Sequence, residues 1–119
     1  MTKRDKLNEA FKLLRKQGFV ARQNFLCCQG CAGAQIHADI NKLQAAGKKL
    51  PVGYVFFHRQ DAEKIERLGT VCLSFGNIEQ NEIVSAVDVG RKICDVLGEL
   101  GLFASWRGDA NQRIEVSLT

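Results

Sequence analysis

The run Leu50-Pro51-Val52-Gly53-Tyr54-Val55-Phe56-Phe57 constrains the fold more than any other segment. It is the most apolar stretch of the chain and carries the only proline near its start. Aromatic and β-branched residues of this kind suit a central strand, and proline is tolerated where a strand opens. By two-residue alternation Tyr54, Phe56 and His58 share one side, and Val55 and Phe57 share the other. A sheet built around such a strand needs helices over at least one face.

The flanking sequence supplies them. Leu7, Phe11 and Leu14 form one helical stripe over 4–17, stopped by Gly18, with Lys12, Arg15 and Lys16 off the stripe. Residues 1–18 are thus a basic amphipathic helix within the domain. Phe19 to Leu26 reads as extended. A second helix runs from about Gly30 to Ala46, with Ile36, Ile40 and Leu43 on one face and Gly47 as its stop. Asp61 reads as the N-cap of a short helix ending near Gly69, and Thr70 to Gly76 as a strand. A long helix from about Gln80 to Leu100 turns Ile83, Val87, Cys94, Leu97 and Leu100 inward. Leu102–Arg107 and Arg113–Leu118 form a hairpin across Gly108-Asp109-Ala110-Asn111-Gln112.

The order is α-β-α-β-α-β-α-β-β. It predicts a single α+β domain over residues 1–119, with a mixed sheet of about five strands and helices packed on it. Strand, long helix and strand at 70–107 suit a right-handed parallel crossover, and the last pair is antiparallel. The pattern leaves the strand order open.

A chain of 119 residues with 45% apolar content can build a core without disulfides or metal. The first residues lead into an amphipathic segment and not an apolar h-region, and no run approaches a membrane span, so a cytoplasmic protein is expected. Five cysteines in a reducing compartment do not form a disulfide framework, and an odd number cannot all pair. Residues 1–50 carry +7 and residues 51–119 carry −3. A solvated helix face accounts for that asymmetry, so neither nucleic acid nor membrane is expected as a partner; a protein or a second copy of the chain is.

Chemistry concentrates in Cys27-Cys28-Gln29-Gly30-Cys31, between a strand and a helix. Cys28-x-x-Cys31 places two thiols one turn apart at a helix start, where unpaired amides favour a thiolate. Three thiolates from Cys27, Cys28 and Cys31 match an open zinc site, provided the backbone kinks so that adjacent residues converge. His37 lies about 240° around the helix from Cys31 and is a poor fourth ligand. His58, at the end of the apolar strand, is better placed. A thioredoxin-like dithiol shares the local order, with Pro51 resembling its active-site proline, but only one helix fits between Cys31 and Pro51. The third reading is packing, since small thiols suit a helix–sheet junction. Cys72 and Cys94 read as core.

His58 and Asp61 are spaced as a base and its orienter, although the stronger reading is that Asp61 caps the next helix and His58 sits at a solvated strand end. Trp106 either anchors a partner or completes the core with its N–H at the rim. The glycines form no phosphate loop, and no G-x-S-x-G occurs.

Four motifs, Asn24-Phe25-Leu26-Cys27-Cys28-Gln29-Gly30-Cys31, Gly53-Tyr54-Val55-Phe56-Phe57-His58-Arg59-Gln60-Asp61, Leu73-Ser74-Phe75-Gly76 and Gly101-Leu102-Phe103-Ala104-Ser105-Trp106-Arg107-Gly108-Asp109, occur in this order. With them the chain resembles a family of small bacterial proteins classed only as a domain of unknown function, over residues 19–118. The resemblance draws Cys27, Cys28, Cys31, His58, Asp61 and Trp106 into one motif set and implies no substrate. The sequence expectation is a binding or interaction module and not an enzyme, with no catalytic residue and no cofactor assigned. The alternatives are a zinc protein using Cys27, Cys28, Cys31 and His58, and a thiol–disulfide redox enzyme.

Overall fold

The computed structural model describes residues 2–78 and 84–119. Four helices and five strands follow one another in the expected order: α1 (Lys3–Lys16), β1 (Val20–Arg22), α2 (Gln29–Ala45), β2 (Tyr54–Phe56), α3 (Arg59–Leu68), β3 (Thr70–Gly76), α4 (Ala86–Glu99), β4 (Phe103–Ser105) and β5 (Ile114–Ser117). The fold is α+β with a mixed sheet. The last helix begins at Ala86, capped by the extended Ser85, and not near Gln80 as expected; Gln80 and Ile83 themselves lie outside the described residues. Among the described residues no helix is long and apolar enough to cross a membrane.

The sheet order is β1-β2-β3-β5-β4. β1 and β2 are parallel across α2, and every other neighbouring pair is antiparallel. β3 and β4 point the same way across α4 but are not neighbours, because β5 turns back from β4 and inserts between them. The strand containing Tyr54–Phe56 is interior, while the middle of the sheet is β3. Several strands are shorter than the apolar runs predict. β2 begins only at Tyr54, after Pro51 has denied the ladder an N–H.

Alternation along β2 sorts the core into two layers. Val55 and Phe57 join Leu7, Phe11 and Leu14 of α1, Val89, Ile93 and Leu97 of α4, and Val71, Leu73, Ile114 and Val116 of the sheet. Phe56 faces the other way, onto Ala32, Ile36 and Ile40 of α2 and onto Ile78, with Tyr54 and Phe25 at the margin. Helices therefore cover both faces near β2. Over β4 the second face is open, and Phe103 is 70% exposed there.

Three helices start with a reciprocal capping box. Thr2 pairs with Asp5, His58 with Asp61, and Ser85 with Asp88, each side chain accepting from the other residue's amide. Asp61 is thus the third residue of α3 and not its N-cap, which is His58. The sequence signal was misplaced because imidazole is an unusual cap and an aspartate the expected one. α2 departs from the pattern: its N-cap is Cys28, which makes no side-chain cap hydrogen bond.

Candidate metal centre

The cysteine cluster sits where β1 has ended and α2 begins, beside the turn from β2 into α3. Phe25 N–H donates to the Phe57 carbonyl at 2.9 Å, and Arg59 N–H donates to the Leu26 carbonyl at 3.0 Å. Phe25 packs on Phe56, with ring centroids 6.4 Å apart, under the Arg22 guanidinium. Arg22 also pairs with Asp39 of α2 at 3.3 Å. The loop is therefore tied to both its neighbours before the first thiol is reached.

Within it Asn24 and Leu26 adopt left-handed backbone, with φ of 48° and 59°. Asparagine tolerates this conformation; for leucine it costs about 1–2 kcal/mol. The bend at Leu26 redirects the chain as it enters the cluster. In plain extended backbone the side chains of Cys27 and Cys28 would point to opposite faces.

The three Sγ atoms of Cys27, Cys28 and Cys31 lie within 4.8 Å of one another. The Cys27 thiol donates to Cys28 Sγ at 3.6 Å. Cys27 and Cys31 are exposed and Cys28 is half-buried, so the cluster opens to solvent. It is not packing in the core, where small thiols would be enclosed. The Cys31 amide, the thiols of Cys27 and Cys31, and the Gly30 amide together draw the Cys28 thiol below its ordinary range. Hydrogen bonding to the thiols of Cys27 and Cys28, and repulsion from them once ionised, pushes Cys31 up to about 11.

His58 is not part of this group. It is 5% exposed, a buried residue and not the solvated strand end that its position in the sequence suggests. Its Nδ1 accepts from Asp61 N–H at 3.4 Å, which leaves the proton of the neutral ring on Nε2, 3.1 Å from Asp61 Oδ2. Burial lowers the imidazole pKa, opposed by the Asp61 carboxylate and assisted by Arg113 and Lys64. Asp61, only 1% exposed, is bound through both terminal nitrogens by Arg113, the residue just before β5. Arg113 also donates to the Cys72 carbonyl at 2.7 Å. Sequence reasoning missed Arg113, because nothing in the alternation of the last strand marks one exposed-side residue as the partner of an aspartate 52 positions away.

Trp106 closes the hairpin. Its Nε1–H donates to the carbonyls of Asp109 and Gln112 at 3.0 and 3.1 Å, and its ring meets Phe75 edge-on at 5.5 Å. Cys94 is half-buried beside the main core, and half-buried Cys72 lies on β3 facing away from that core. His37 is exposed on α2 and meets the Tyr54 ring edge-on at 5.9 Å. Of the residues singled out in the sequence, the fold thus brings Cys27, Cys28 and Cys31 together. It joins His58 to Asp61 in a separate buried network and leaves Trp106 in the hairpin.

No curated protein and no solved structure matches the chain. A family model described as Domain of unknown function (DUF6891) matches residues 1–119, and the chain belongs to that family.

Proposed function

We propose that this protein binds a thiophilic metal ion through Cys27, Cys28 and Cys31. The observation that carries the reading is the convergence of three sulfurs, two of them on exposed residues, within 4.8 Å on a loop bent at Leu26. A tetrahedral zinc–thiolate site, with Zn–S of about 2.3 Å, spaces its sulfurs by about 3.8 Å. The 3.6 Å between Cys27 and Cys28 is close to that, so ligation requires little movement. Thiolates select zinc, copper(I) and iron–sulfur clusters over hard cations. The reading narrows the broader expectation of a binding module to a named ligand class.

The test uses untagged full-length protein purified without oxygen and titrated with zinc and, separately, with copper(I). The expected result is one zinc per chain that shields three thiols from a thiol reagent, with uptake lost in Cys28→Ser and in Cys31→Ser. No uptake of either zinc or copper(I) by a fully reduced sample overturns the reading. If that sample instead forms a reversible Cys28–Cys31 disulfide on exposure to a small-molecule disulfide, the dithiol redox reading replaces it.

A further inference from the structure

We infer that the ion best suited to this site is copper(I), held by the three thiolates alone. The inference rests on the reading of Cys27, Cys28 and Cys31 as metal ligands and goes on to name the ion and its coordination number.

Distance alone does not choose between ions. Three sulfurs around a trigonal centre at about 2.3 Å are spaced by about 4.0 Å, against about 3.8 Å for a tetrahedral one. Both values fall inside the limit of 4.8 Å that the three Sγ atoms satisfy. Ligand number decides. A closed zinc site takes four ligands, and an iron–sulfur cluster takes four cysteines or their histidine substitutes. Among the described residues, no other histidine, cysteine or carboxylate joins the three sulfurs at ligating separation.

The histidine nearest in the fold's logic is already engaged. His58 presents Nδ1 to the Asp61 amide and Nε2 to the Asp61 carboxylate, at 3.4 and 3.1 Å, inside a network that also holds Arg113. Releasing it to ligate a metal would uncap α3 and strip a buried carboxylate of one neighbour. His37 lies against Tyr54 two turns into α2. Cys94 packs beside the main core, on the face of the sheet opposite α2.

A monovalent, closed-shell, soft ion is satisfied by three thiolates in a plane. Zinc at the same site keeps a fourth position that water or an outside ligand must fill. Binding releases the thiol protons to water and changes no oxidation state. The residual negative charge faces solvent at Cys27 and Cys31, at the N-terminal end of α2.

The deciding experiment is X-ray absorption on the full-length protein loaded anaerobically with one equivalent of copper(I), and in parallel with one of zinc. The expected copper spectrum fits three sulfurs and no nitrogen or oxygen. The expected zinc spectrum fits three sulfurs and one light atom, which a sulfur replaces when an external thiol is added. A nitrogen ligand on copper, or a fourth protein ligand on zinc, overturns the three-thiolate assignment while leaving metal binding intact. Failure to take up either ion overturns metal binding itself. His58→Gln should leave copper affinity within threefold of the parent. A tenfold loss in His58→Gln that is absent in Asp61→Asn, which disturbs the same cap without removing an imidazole, makes His58 a ligand and sinks the proposal.

Discussion

Arg113, the residue just before β5, holds Asp61 of α3 with both terminal guanidinium nitrogens. β2 pairs with Ser74–Gly76 of β3, so among the described residues the earlier part of β3 has no strand on that side. α3 packs there instead, and Arg113 links it to the sheet while satisfying the Cys72 carbonyl. The buried carboxylate, the cap of α3 and the last strand are thereby one unit.

Removing the two partners of that pair should cost different amounts. Arg113→Ala leaves a carboxylate 1% exposed without its cation, and breaking a buried pair in this way costs about 3–5 kcal/mol. Asp61→Asn leaves an arginine whose side chain is 35% exposed and partly hydrated, and it keeps an acceptor for the His58 amide; its cost should be about 2 kcal/mol. Urea denaturation of both variants and of the double mutant measures the coupling. Equal losses would show that Asp61 is less dependent on Arg113 than the contact implies.

His58 gives the fold a pH dependence of definite sign. Its pKa in the folded protein lies below the ordinary 6.5, chiefly through burial, so the unfolded chain binds more protons between the two values. This contribution to stability is fully present above about 6.5 and is lost as pH falls from there through the folded pKa. His58→Gln should flatten the midpoint of thermal unfolding between pH 5 and 7. An unchanged slope in that variant would place the titration elsewhere.

The bend at Leu26 should be separable from its side chain. Leu26→Val puts a β-branched residue at φ of 59°, where it is tolerated less well than leucine, and favours an extended backbone that changes how the chain enters the cysteine cluster. Leu26→Gly tolerates the bend. Zinc stoichiometry should fall in the first variant and hold in the second. Parallel loss in both would mean that the leucine side chain, 39% exposed, matters more than the backbone.

Gly90 fixes where the hairpin rests on α4. A Cβ at that position would lie 2.5 Å from Cη2 and 2.7 Å from Cζ2 of Trp106, and 3.1 Å from Phe75. Gly90→Ala should therefore cost about 1–3 kcal/mol by overpacking. It should also shift the emission of the single tryptophan to the red as the ring moves toward water. A stable variant with parental emission would mean that the hairpin yields without strain.

Periodicity determined much of this protein. The stripe Leu7, Phe11, Leu14 and the alternation of Val55 and Phe57 against Phe56 placed helices, strands and buried faces, because burial of alternate or every-third-and-fourth residues is a local property of the chain. The cysteine spacing likewise announced a thiol cluster at a helix start. Tertiary structure alone decided the rest. β5 enters between β3 and β4 because pairing depends on which edges meet, and an alternating strand reads the same at any position in a sheet. The loop that carries Cys27 and Cys28 bends at a left-handed leucine and is held by the bonds of Phe25 and Arg59 to segments more than 30 residues away. His58 turned out to be a buried cap and not a ligand neighbour, because Arg113, far along the chain, arrives to neutralise the Asp61 carboxylate beside it. Contacts between residues so distant in sequence leave no period to read.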